Sequence, residues 1–212
     1  MGTGGGSGRE RRVALFGGSF DPPHRGHVAV ARAAAEAFAL DSVVFMPTGL
    51  QPLKPGGAVA SFADRIAMVS LVCASDPRFA VSDLDAPRGD GRPNYTVDTL
   101  EAMRGSVLEA RSWRMFAIAG ADSFLELPRW HRSRRLLELA EWIVVSRPGF
   151  SLEELSGLGL SEEMMARVHL LGTVQERVSA TELRGRLARG EDCSDSVPEV
   201  VLEYVRAHHL YG

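Results

Sequence analysis

The sequence predicts an α/β fold in which a doubly wound parallel sheet is built within a single domain. Three observations carry that expectation. Short apolar runs of β-prone residues alternate with longer segments whose apolar positions recur at helical spacing, the pattern of strand–helix units packed on both faces of a parallel sheet. A chain of 212 residues is long enough to bury one full core without disulfides or structural metal. No internal repeat or composition shift along it marks a second domain.

Residues 1–11 read as a disordered Gly-rich tail, and residues 12–212 as the folded domain. Gly4-Gly5-Gly6 precedes the first strand, whereas a nucleotide-binding glycine motif follows one. Val13 to Phe16 is the first strand, ending in Gly17 and Gly18, and Val28 to Phe38 is an Ala-rich helix. Ser42 to Met46 is a second strand stopped by Pro47. A loop from Gly49 to Ala60 leads to a helix at Phe62 to Ala74 and a strand at Phe79 to Ser82. Asp85 to Arg92 is a polar turn-rich loop before a helix start near Thr96 to Thr99. Met115 to Ala119, Trp142 to Ser146 and Val168 to Leu171 are the remaining strands, and Pro198 to Leu210 is the last helix. With right-handed crossovers, this order gives a Rossmann-like sheet.

The turn from the first strand into the first helix carries the densest chemistry: Gly17-Gly18-Ser19-Phe20-Asp21-Pro22-Pro23-His24-Arg25-Gly26-His27. Glycines let a ligand approach the backbone, the prolines stiffen the turn, and the helix that follows offers unpaired N–H groups at a positive dipole end. An anion is welcome there. His24 and His27, three apart, share one helix face, and imidazoles donate N–H groups whether neutral or charged. Taken alone, a His-x-x-His pair is more often surface decoration than a catalytic device. A second candidate anion site lies at Val178-Ser179-Ala180-Thr181-Glu182-Leu183-Arg184, with hydroxyls at a helix start and a guanidinium one turn inside. By itself that pattern is also a common helix cap. Gly120-Ala121-Asp122-Ser123 follows the fourth strand, where open α/β sheets place ligand contacts; Asp122 can accept from ribose hydroxyls or cap the next helix.

The eleven-residue turn resembles the signature Gly-Gly-x-Phe-Asp-Pro-x-His-x-Gly-His of the nucleotidyltransferase superfamily, and the chain from Arg12 to Tyr211 is similar to bacterial nicotinate-nucleotide adenylyltransferases. That resemblance implies adenylyl transfer from ATP to nicotinate mononucleotide, with Mg²⁺ bound mainly through the ATP phosphates. It implies catalytic roles for His24, His27 and Arg184. It implies substrate contacts from Gly17, Gly18, Ser19, Phe20, Asp21, Lys54, Tyr95, Thr96, Gly120, Asp122, Trp130, Arg147, Ser179 and Thr181, and no protein-held metal. Asn94-Tyr95-Thr96-Val97-Asp98-Thr99-Leu100 is similar to the family's Ser-Tyr-Thr-x-x-Thr-Leu segment, with Asn94 for the serine. Trp130 matches the tryptophan near the nicotinate ring. Leu53 departs from the pattern, standing before Lys54 where the family has histidine, so the charge at Lys54 is expected to carry that part of the triphosphate clamp. For acid over amide on the pyridine, backbone N–H groups beside Thr96 and Trp130 are the expected readers. Two other readings remain open: an adenylyltransferase for nicotinamide mononucleotide or phosphopantetheine, and a non-catalytic nucleotide sensor.

Composition excludes several classes. A net charge of −3 is not that of a general nucleic-acid binder. No run of about 18 apolar residues is present to span a membrane, and the first residues lack the apolar core of a signal peptide, so a cytoplasmic protein is expected. Cys73 and Cys193 lie far apart, outside any Cys-x-x-Cys spacing, and read as free thiols. His131, His169, His208 and His209 read as surface residues, and Arg129, Arg132, Arg134 and Arg135 as a solvated face. Oligomeric state is left open, a homo-oligomer included.

Overall fold

A computed structural model describes residues 9–52, 57–107, 113–146, 152–172 and 179–212. Six strands, β1 (Arg11–Gly18), β2 (Ser42–Pro47), β3 (Phe79–Val81), β4 (Trp113–Gly120), β5 (Glu141–Val145) and β6 (Val168–Leu171), form one sheet in the order β3-β2-β1-β4-β5-β6. Every neighbouring pair is parallel. The chain winds outward from β1 to β3, returns, and winds outward again from β4 to β6. Its direction reverses between β1 and β4, where such sheets leave a crevice at the carboxyl ends of the strands.

Side-chain alternation in β1 explains the apolar runs. Val13 and Leu15 enter one core layer with Ala117, Ala119, Trp142 and Val144, while Ala14 and Phe16 enter the opposite layer with Val43, Phe45, Ile118 and Ile143. A strand covered on both sides has no polar face to show. The first layer is closed by α3 (Thr96–Val107), α4 (Ala121–Phe124) and α5 (Ser133–Leu139), through Val97, Leu100, Phe124, Leu136 and Leu137. The second is closed by α1 (Arg25–Ala37) and α2 (Phe62–Cys73), through Ala31, Ala34, Ala35 and Val69. After a four-residue helix α6 (Glu162–Met165), α7 (Ala180–Ala188) and α8 (Glu199–Ala207) pack on the far side of α2, where Met68 and Val72 meet Leu183, Val201, Leu202 and Val205. The chain thereby brings its last two helices back beside its first turn.

Element boundaries differ from the sequence expectation where a cap decides them. The first helix begins at Arg25, with His24 at the N-cap, three residues before its apolar pattern starts. Asp122 sits in the first turn of α4, whose N-cap is Gly120. The last helix stops at Ala207, because His209 and Tyr211 take left-handed backbone conformations that a helix cannot continue. His169 is no plain surface residue: its Nε2 lies 2.7 Å from Glu141 Oε2, and Arg114 holds the other oxygen. Cys73 and Cys193 are free and buried, and burial pushes the Cys73 thiol up to about 12. Among the described residues no helix is long and apolar enough to cross a membrane.

Candidate active site

The signature turn leaves β1 at the sheet reversal, with Gly18 and Gly120 each two residues past the paired Phe16 and Ile118. Space lies open in front of Gly17 and Gly120, where an added Cβ meets no heavy atom within 4 Å. At Gly18 a Cβ would come within 3.0 Å of the Phe20 ring. That ring cannot yield, because Phe20 is wholly buried against Phe16, Phe45 and His27 at centroid distances of 4.8 to 5.5 Å. Phe20 adopts a left-handed φ of 48°, uncommon for a bulky residue, and the aromatic packing holds it there.

Two of the residues expected to contact substrate have buried side chains in this arrangement. The Phe20 ring is core, and Asp21 is 1% exposed with its carboxylate already filled. Asp21 accepts from the backbone N–H groups of Val59 and Ala60 at 2.7 and 3.1 Å, and from the Tyr211 hydroxyl at 2.7 Å. Side chains that bury themselves to shape a turn leave only its backbone for a ligand. Sequence spacing cannot reveal that, because Tyr211 lies 190 positions away. Arg65, also buried, donates to the Ser19 carbonyl at 2.8 Å and fixes the turn from α2.

His24 and His27 stack with ring centroids 3.6 Å apart. The His24 backbone N–H donates to His27 Nδ1 at 3.1 Å. A ring nitrogen that accepts carries no proton, so neutral His27 presents its N–H at Nε2. Burial lowers His24 to about 4, and burial followed by the charge of His24 holds His27 well below its ordinary value. Both imidazoles are therefore neutral donors near pH 7. His24 Nδ1 is buried and makes no hydrogen bond to the described residues.

The second motif reaches the first through Arg184. Its Nη1 donates to the Asp21 main-chain oxygen at 2.8 Å, and its Nη2 to Thr181 Oγ1 at 3.2 Å. Ser179 is the N-cap of α7, accepting from the Glu182 N–H at 3.4 Å. The two helix starts, far apart in sequence, are thus joined by one guanidinium. Lys54 and Arg147 lie outside the described residues, as does Leu53.

On the other side of the crevice, Tyr95 and Trp130 pack against the same core layer. Trp130 is half-buried, its ring 5.5 Å from Trp142 edge to face. Tyr95 lies under the exposed His131 ring at 4.3 Å, a contact that marks His131 as part of this wall. Thr96 opens α3, and Gly120 and Asp122 sit at the exposed end of β4. Arg129, Arg132 and Arg135 pair with Glu126, Glu101 and Glu138 at the surface.

Asn94 does more than replace a small polar residue. It accepts from the Leu50 N–H at 3.2 Å and donates to the Ala86 carbonyl at 2.9 Å. Gly49 completes the joint, since a Cβ there would meet Asp85 O at 2.7 Å. Buried Asp85 accepts from Thr99 Oγ1 at 2.9 Å, and burial pushes its carboxyl up to about 6, against the pull of that hydroxyl. A carboxyl raised above its unfolded value contributes stability that is complete near pH 4 and lost as pH rises through 6. The loss amounts to about 3 kcal/mol. Asp85→Asn is expected to remove this slope, so that urea unfolding shows the variant gaining on the wild type between pH 4 and 7. A constant difference, or one of opposite sign, would contradict the assignment.

The chain is similar to known proteins over most of its length. A cytidylyltransferase-like family model matches residues 15–186. A Roseiflexus castenholzii protein named as a probable nicotinate-nucleotide adenylyltransferase is 40% identical over 201 residues, covering 94% of this chain and 98% of its own. A Neisseria meningitidis serogroup B protein of the same name is 40% identical over 206 residues, covering 95% and 98%. Among solved structures, Plasmodium falciparum nicotinic acid mononucleotide adenylyltransferase complexed with NaAD has a TM-score of 0.72 at 16% identity, covering 95% of this chain and 97% of that one. At that identity the likeness speaks for the fold alone. Matched over most of its length by the family model and by relatives two-fifths identical to it, the chain belongs to the nicotinate-nucleotide adenylyltransferases of the cytidylyltransferase-like family.

Proposed function

We propose that this chain transfers the adenylyl group of ATP to nicotinate mononucleotide, forming nicotinate adenine dinucleotide and releasing pyrophosphate. The observation that carries the reading is the contact from Arg184 to Asp21, which seats the second helix start beside the first at the sheet reversal. Two such starts, one with neutral imidazole donors and one with a guanidinium, suit a triphosphate rather than a single phosphate.

In this reading the mononucleotide phosphate, ionised at pH 7, attacks the α-phosphorus of ATP in line, and the bond to the β-phosphate oxygen breaks. No enzyme nucleophile is required. The His27 Nε2–H and His24 donate to the bridging and departing oxygens, while Arg184, Ser179, Thr181 and Lys54 hold the outer phosphates. Backbone groups of Gly17 to Ser19 line the path. Asp122 and Gly120 face the ribose, and Arg147 is a further substrate contact. Positioning of this kind is worth about 7 to 11 kcal/mol of barrier. Mg²⁺ supplies charge neutralisation when bound, held by phosphate oxygens and water. Asp21, the acidic residue of the turn, is buried and accepts three hydrogen bonds from the protein, and in this reading is no ligand for it. The same proposal takes residues 12–212 as one catalytic domain and the cytoplasm as its setting.

Acid specificity is the test. Trp130's own N–H donates to Leu127 O at 3.0 Å, so the reading donors must be its neighbour His131 and the first-turn amides of α3 at Thr96. Two N–H donors accept a carboxylate but leave one unpaired against an amide, at a cost of about 1 to 3 kcal/mol. The expected preference in kcat/KM is therefore on the order of 10² for nicotinate over nicotinamide mononucleotide, with saturating Mg-ATP. Comparable values for the two acceptors would defeat the acid-specific reading.

A further inference from the structure

We infer that Tyr211, a residue outside both signature motifs, is a positioning residue: its hydroxyl saturates the buried Asp21 carboxylate and so keeps the Arg184 guanidinium available for the ATP phosphates. The inference deepens the proposed function and rests on its placement of ATP.

Asp21 meets two cations, yet the three hydrogen bonds to its carboxylate come from neutral donors. Val59 N–H takes Oδ2, while Ala60 N–H and the Tyr211 hydroxyl take Oδ1. Arg65 spans to the Ser19 carbonyl instead, with its Nε unpartnered. Arg184 Nη1 stands 3.7 Å from Asp21 Oδ2, beyond hydrogen-bond reach, because it donates to the main-chain oxygen of the same residue. Without the Tyr211 hydroxyl the carboxylate would fall from three donors to two, the Val59 N–H on Oδ2 and the Ala60 N–H on Oδ1. A buried carboxylate short of donors recruits the nearest charge. Arg184 Nη1, already in ion-pair range of Oδ2, needs to move only about 1 Å to hydrogen-bond it, and the guanidinium would then be committed to the Asp21 carboxylate.

The segment that delivers Tyr211 is held in place. His209 and Tyr211 adopt φ values of 51° and 68°, conformations that ordinary side chains rarely take. The Leu210 N–H donates back to Val205 O at 3.0 Å, and the Leu210 and Tyr211 side chains pack on the layer between α2 and α8. Tyr211→Phe keeps that ring packing and removes only the hydroxyl.

The test is calorimetric binding of Mg-ATP and, separately, of nicotinate mononucleotide, to the wild type, Tyr211→Phe, Arg184→Ala and the double variant. Tyr211→Phe is expected to weaken Mg-ATP about tenfold while the mononucleotide stays within twofold. In the Arg184→Ala background the same change is expected to alter Mg-ATP binding by less than twofold, because the residue it acts through is gone. Mg-ATP affinity within twofold of wild type in Tyr211→Phe would overturn the inference. So would equal weakening of both ligands, or a loss that persists without Arg184, since either marks a merely structural prop. A wild type that binds Mg-ATP but forms no dinucleotide would defeat the proposed function and leave the Tyr211 result to stand on its binding ratio. A wild type that binds no Mg-ATP would overturn both.

Discussion

Replacing His27 by alanine is expected to lower kcat by about 10² to 10³, the loss that follows removal of one preorganised donor to charge developing in a transition state. The structure adds a cost that spacing alone does not suggest. His27 Nδ1 accepts the His24 N–H, and its ring lies 4.8 Å from buried Phe20, so the variant loses a cap and a packing partner together. A stability loss of about 1 to 2 kcal/mol is expected alongside the kinetic one. Steady-state turnover measured well below the melting temperature separates the two effects. Because burial keeps both imidazoles neutral, the ratio of wild-type to variant kcat should stay constant from pH 6.5 to 8.5. Using the ratio cancels ionisation of the substrate phosphates. Near wild-type turnover in the folded variant would remove His27 from the reaction, and a ratio that changes tenfold across that range would contradict the neutral-donor assignment.

Asp21→Ala is expected to destabilise the fold by about 3 to 5 kcal/mol, the effect of deleting one partner from a buried charged network. The deletion strands the Val59 and Ala60 N–H groups and the Tyr211 hydroxyl, and leaves Arg65, 2% exposed, without its counter-charge. For a chain of this length that loss corresponds to a fall in melting temperature on the order of 10 °C. A direct substrate contact would behave otherwise, raising KM while leaving the melting curve in place. Differential scanning calorimetry without ligands therefore decides between the roles. A melting temperature within 2 °C of wild type would return Asp21 to the substrate.

Local chemistry was enough for much of this protein. The alternation of apolar runs with helical segments determined the doubly wound sheet, since a strand buried on both faces must be apolar throughout, as Val13 to Phe16 and Ile143 to Val144 are. Glycines after a strand, with histidines at a helix mouth, marked the candidate anion site, because those groups act within one turn of the chain. What the sequence could not decide is which side chains of that motif are buried. Phe20 and Asp21 look equivalent to Gly17 and His24 along the chain, but Phe20 fills the core and Asp21 ties four segments together. Only the return of α7 and α8 to the flank of α2 brings Arg184 and Tyr211, 163 and 190 positions away, onto its carbonyl and carboxylate. The physical reason is that a buried carboxylate must find donors, and in a parallel sheet those donors come from crossovers distant in sequence.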